Sequence, residues 1–116
     1  MDEVTGRAVR VATAWLDEHQ GRGREQQTVR ILKLVEEAGE AARAWIGVIG
    51  QNPRKGVTHT VDDVAAELAD TAITALVAIE SLGLDAGTVL AECAAKVLSR
   101  LDGLPPAQPG TSRGGG

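Results

Sequence analysis

The chain of 116 residues contains no Phe and no Tyr, and two Trp are its whole aromatic content. Its apolar volume must come from Ala, Val, Leu and Ile, side chains small enough to let helices approach closely. The single cysteine, Cys93, excludes an intramolecular disulfide and a thiolate metal site, which suits a cytoplasmic protein. Long uncharged runs are missing too. The longest, Ala44 to Pro53, falls far short of the ~20 residues of a membrane-spanning helix, and the N-terminus has no apolar secretory core. Positive charge is also scarce: 12 basic against 16 acidic residues leave a net charge of −4. Such a chain has no general basic field for a nucleic-acid backbone, so neither duplex DNA nor a membrane is an expected partner.

What remains is 43% hydrophobic and 24% charged, the composition of one packed domain rather than of a disordered chain. A domain this small buries a limited share of its surface. Sharing apolar helix faces between identical copies relieves that shortage, so a homodimer or homotetramer is expected.

Val4, Ala8, Val11, Ala12 and Trp15 recur at helical spacing before Gly21 and Gly23 interrupt them, which predicts a first helix over about 3–19. Ile31, Leu34, Val35, Ala38, Ala42, Trp45, Ile46 and Ile49 form one apolar stripe, predicting a second helix over about 26–49 that Gly50 closes. The segment 51–59, with Asn52, Pro53, Arg54, Lys55 and Gly56, reads as an exposed basic loop. Thr60 and Asp63 have the spacing of a capping box for a third helix that stops at Gly83, and Asp85 suits the cap of a fourth. Val89, Leu90, Cys93, Val97 and Leu101 give that fourth helix its apolar face until Gly103. The expected architecture is all-α: a four-helix up-and-down bundle over residues 1–103, completed by dimerisation, with a disordered Pro/Gly-rich tail over 104–116.

Carboxylates stand out on the two middle helices. Asp63, Glu67, Asp70 and Thr74 fall in one narrow stripe of a helix that is otherwise almost wholly apolar. A solvated face normally mixes both charge signs, and this stripe is purely acidic, which points to a cleft on a central helix. Glu37 and Glu40, with Glu36 beside them, project from one side of the second helix. Taken alone, Lys33, Glu36, Glu37, Glu40 and Arg43 read first as its solvated side. Antiparallel packing of the two helices would set Glu37 and Glu40 against Glu67 and Asp70. Four clustered carboxylates repel, and a hard divalent cation, Mg2+ or Mn2+, is the usual compensation.

The run from Lys33 to Glu40, with Glu36, Glu37 and Glu40, and Glu67-Leu-Ala-Asp70 after the intervening residues 41–66, resembles the EExxE and ExxD pair of the MazG-like nucleoside triphosphate pyrophosphohydrolases. The similarity covers residues from about 26 to 101. It implies the all-alpha NTP pyrophosphatase fold, with Mg2+ held by Glu37, Glu40, Glu67 and Asp70. Glu36 would assist a second ion or orient the attacking water, which puts Glu36 and Glu37 in catalytic roles. The implied reaction cleaves between the α and β phosphates of a nucleoside triphosphate, giving a monophosphate and pyrophosphate. Lys96 and Arg100, one turn apart on the fourth helix, match the family's basic positions and are candidates for the triphosphate; their alternative is a helix-face pair with Glu92.

Arg54 and Lys55 are further phosphate candidates, with simple solvation as the alternative. Trp45 and Trp15 are candidates for stacking on a base, although each continues an apolar stripe and a core role is expected for both. Gly39 suits close helix packing or ligand approach. His59 has no partner pattern and receives no catalytic role. Two rival functions remain open: phosphoribosyl-ATP pyrophosphohydrolase, with a similar acidic helix pair, and a noncatalytic nucleotide- or protein-binding helical module.

Overall fold

Each helix begins and ends where local chemistry requires. In the computed structural model, which describes residues 1–106, α1 spans Glu3–Gln20 and α2 spans Arg24–Ile49. They are followed by α3, Val61–Ser81, and α4, Ala86–Asp102. There is no strand among the described residues. Most of the expected tail lies outside the described residues.

Asp2 caps α1, its carboxylate accepting from the Thr5 N–H at 2.7 Å, and that bond holds the Asp2 carboxyl below its ordinary value. Asp85 caps α4 in the same way through the Thr88 N–H. Thr60 and Asp63 form a reciprocal capping box on α3, and Gly50 closes α2 in the left-handed conformation at φ 63°. No single helix among the described residues is long and apolar enough to cross a membrane.

The third helix is the hub, packing along α2, against α1 and, near the turn between them, against α4. The core is small and sits at the C-terminal end of α3, where Leu76 and Val77 meet Val9 of α1 and Ala86 at the start of α4, flanked by Ala12, Leu16, Ile73 and Ile79. A polar clamp closes that end. Buried Arg30 donates to Asp17 Oδ1 at 2.6 Å, to the Gly21 carbonyl and to Ser81 Oγ, so one guanidinium ties α1, α2 and α3 together. Hydrophobic periodicity gives no hint of this clamp.

Two expectations need correction. The stripe Ile31, Val35, Trp45, Ile46 and Ile49 does not face α3: all five are exposed, whereas Arg30, Ala41, Ala44 and Gly47 are the buried positions of α2. The helix approaches α3 through its small side chains, because small residues permit the closest approach of two backbones. Likewise Trp15 and Trp45 are not core residues, being 56% and 50% exposed; Trp15 instead stacks on His19 at 4.1 Å between ring centroids.

The fourth helix leaves α3 at a bend of 116° instead of folding back along it, and every residue from Leu90 to Asp102 is exposed. The four helices therefore do not close within one chain. The radius of gyration, 18.1 Å, is well above the ~13 Å of a compact domain of this size.

Candidate metal centre

The α2–α3 contact is antiparallel, and its register is fixed at both ends. Gln27 and Arg30 bond to Ser81 at one end, and the Thr58 N–H donates to the Gly47 carbonyl at the other. Between these points the register sets Glu37 and Glu40 opposite Glu67 and Asp70. Carboxylate oxygens of Glu37, Glu67 and Asp70 all lie within 4.8 Å of one another. Glu40 adds its negative charge to the surroundings of Glu67 but stands outside that three-acid cluster, so three of the four expected ligands are brought together.

Their electrostatics are unfavourable as they stand. Desolvation raises the Glu67 carboxyl above its ordinary value, and the neighbouring charges of Glu40, Asp70 and Glu37 raise it further. Glu67 Oε2 is buried without a hydrogen-bond partner. The compensating cation within the chain is Lys33, whose Nζ lies 3.4 Å from Glu37 Oε1 and 3.7 Å from Glu36 Oε2. Its ammonium is held above its ordinary value by the Glu36 charge first and by the bond to Glu37 next. One exposed lysine at the edge leaves Glu67 uncompensated. A donor set of carboxylate oxygens alone, one of them buried and unpartnered, fits a hard divalent cation.

The remaining candidates are dispersed. Glu36 is mostly exposed, pairs with Lys33 and stands outside the three-acid cluster. Asp63 is consumed by the α3 cap: its carboxylate accepts from the Thr60 N–H at 2.8 Å, which lowers its pKa. Thr74 lines a cavity of about 130 Å3 with Leu16, Arg30, Ile73 and Val77, one turn beyond Asp70. Lys96 and Arg100 are exposed on the outlying α4. Trp45 lies about 80° and 140° around the helix from Glu37 and Glu40, so the chain does not bring it over the acids. Arg54 is exposed, and Lys55 lines a second cavity with Arg43, Gly47, Thr58 and His59.

Gly39 has open space around its Cβ direction and so is not the close-packing glycine. Gly47 has that role, since a Cβ there would lie 2.5 Å from Thr58 Oγ1 and closer still to His59. The spacing Ala41, Ala44, Gly47 was the legible signal for it. The chain matches no protein-family model, no curated protein and no solved structure.

Proposed function

We propose that this protein is a divalent-metal-dependent nucleotide pyrophosphohydrolase of the MazG-like kind, cleaving the α–β phosphate bond of a nucleoside triphosphate. The observation carrying this reading is the convergence of Glu37, Glu67 and Asp70 within 4.8 Å, with one oxygen of Glu67 buried and unpartnered. Glu37 and Glu40 from α2, with Glu67 and Asp70 from α3, would hold Mg2+, or Mn2+ in its place. A bound divalent cation supplies Lewis-acid polarisation of phosphoryl oxygens and neutralises developing charge. Glu37, half-buried and bonded to Lys33, keeps its orientation through that ion pair. Glu36, on the solvent side of the same lysine, would accept a proton from a water arriving at the rim.

The working unit is a homodimer or homotetramer, in which the exposed apolar faces of α2 and α4 are covered by other copies and the open four-helix arrangement is completed. The compartment is the cytoplasm. The test is pyrophosphate release from a panel of normal, deoxy and modified nucleoside triphosphates, together with phosphoribosyl-ATP, in Mg2+ and in chelator. Metal-dependent release supports the reading; preference for phosphoribosyl-ATP would move it to that branch, and binding without turnover would make the chain a binding module.

A further inference from the structure

The acid cluster has a neighbour of opposite character. Between the end of α2 and the loop that follows it, Arg43, Lys55 and His59 line a cavity of about 290 Å3, together with Thr58, Asn52 and the apolar Ile46, and no acid lines it. In a chain with net charge −4, three groups able to carry positive charge converging on one cavity is a local reversal. Arg43 lies one turn beyond Glu40 on the same flank of α2, about 4.5 Å along the axis. The cavity therefore continues the line of the acids.

The pocket is built by the chain's own close packing. The absence of a side chain at Gly47 lets Thr58 and His59 lie directly on α2, and the Thr58 N–H bond to the Gly47 carbonyl at 2.9 Å pins the loop there. Thr58 Oγ1 and His59 Nδ1 are 2.8 Å apart. In either neutral tautomer one proton of this pair stays free: if the threonine donates, His59 carries its hydrogen on Nε2; if Nδ1 donates, the hydroxyl proton remains. The 52–56 turn uses its backbone donors internally, since the N–H groups of Lys55 and Gly56 go to the Asn52 carbonyl and that of Arg54 to its side chain. A ligand here would be held by side chains, two of them permanently cationic.

We propose that this cavity binds a condensed phosphate, the pyrophosphate moiety of a nucleotide or free pyrophosphate, through Arg43, Lys55 and the Thr58–His59 pair. The assignment of its source to the substrate rests on the nucleotide-hydrolase reading above; the chemistry of the cavity does not. Asp62 and Asp63 are the acids closest in sequence to His59, and neither lines the cavity; the Asp63 carboxylate is engaged by the Thr60 N–H of the helix cap, although its charge still bears on His59. The cavity volume is at the lower edge for small-molecule sites, suited to a compact polyanion rather than a whole nucleotide.

The test is calorimetric titration of the full chain with sodium pyrophosphate, in chelator so that no metal contributes. Binding is expected, with Arg43→Gln and Lys55→Gln each weakening it about tenfold and Arg7→Gln, an exposed change on α1, leaving it unchanged. Orthophosphate, with half the charge to engage, is expected to bind more weakly. No binding by the wild type, equal binding by the Arg43 and Lys55 variants, or orthophosphate binding as tightly as pyrophosphate would each overturn the proposal. Because the readout needs neither metal nor turnover, pyrophosphate binding in an enzyme that hydrolyses nothing would sink the catalytic reading and keep this site. Hydrolysis without such binding would do the reverse.

Discussion

The two faces of α2 are unlike each other in a way that hydrophobicity alone misreads. The face against α3 is small and charged: Ala44 and Ala41 are 2% and 6% exposed, and Glu37 and Glu40 sit half-buried between them and the hub. The opposite face is large and apolar, yet Val35 is 71% and Leu32 61% exposed. Within one chain, close approach of backbones has been favoured over burial of bulky side chains. The small face makes the acid cluster possible, because only two closely packed helices can set their carboxylates within a few ångströms of one another. The large face is the surface that the proposed assembly would cover.

The sharpest way to break this contrast is to neutralise the inner face. Glu67→Gln and Asp70→Asn are each expected to lower Mg2+-dependent turnover by at least about a hundredfold while leaving the fold intact, as read by circular dichroism and pyrophosphate release. Turnover that survives both changes would sink the metal centre. The pH dependence follows from the same crowding. Burial and neighbouring carboxylates raise the folded-state pKa of Glu67 above its ordinary 4.5, so its contribution to stability is fully present below that value and is lost as pH rises through the raised one. The unfolding temperature in chelator should therefore fall as pH rises across that window, and Mg2+ should cancel the loss. An unfolding temperature with the same pH profile in both conditions would mean that no cation answers the cluster.

The outer face is tested by charging it. Leu32→Glu with Val35→Glu would place two carboxylates in an apolar contact, at a cost of several kcal/mol, so self-association should weaken by about two orders of magnitude or more. Sedimentation would show the mass fall toward that of one chain. A wild type that already sediments as one chain would instead break the comparison, because the large face would then have no covering.

The sequence made the two faces legible to different degrees. Helix number, order and caps could be read from glycines, Thr60, Asp63 and Asp85, since caps are local chemistry that needs no knowledge of neighbours. Glu67 and Asp70 could be read because an unmixed acidic stripe on an apolar helix does not resemble ordinary solvated surface, where both charge signs mix; Glu37 and Glu40, on a flank shared with Lys33 and Arg43, stood out only through the resemblance and the expected antiparallel packing. What could not be read was direction. The stripe of Ile31, Val35 and Ile46 looks like a core face by period, and only the small-residue spacing of Ala41, Ala44 and Gly47 argued otherwise. The same ambiguity concealed α4, whose apolar face is sound by pattern and bare in the chain. Arg30 was illegible for another reason: a buried guanidinium bonded to Asp17, Gly21 and Ser81 joins residues far apart in sequence and leaves no periodic trace.

A smaller effect comes from a pair of glycines eight residues apart on this one helix. Gly47→Ala would drive a Cβ into Thr58 and His59, which the backbone bond to Thr58 holds in place; overpacking of this kind costs about 1–3 kcal/mol, or a fall of ~4–8 °C in unfolding temperature for each kcal/mol. Gly39→Ala meets open space and removes only the flexibility that disfavours glycine in a helix, so a gain of about 0.5–1 kcal/mol is expected. Since Gly39 lies about 160° around the axis from Glu37, among the exposed apolar residues, this mild variant also reports on the outer face. If Gly39→Ala lowers the unfolding temperature and reduces the sedimenting mass together, the open space is filled by another copy's backbone, and α2 relies on close approach on both of its faces.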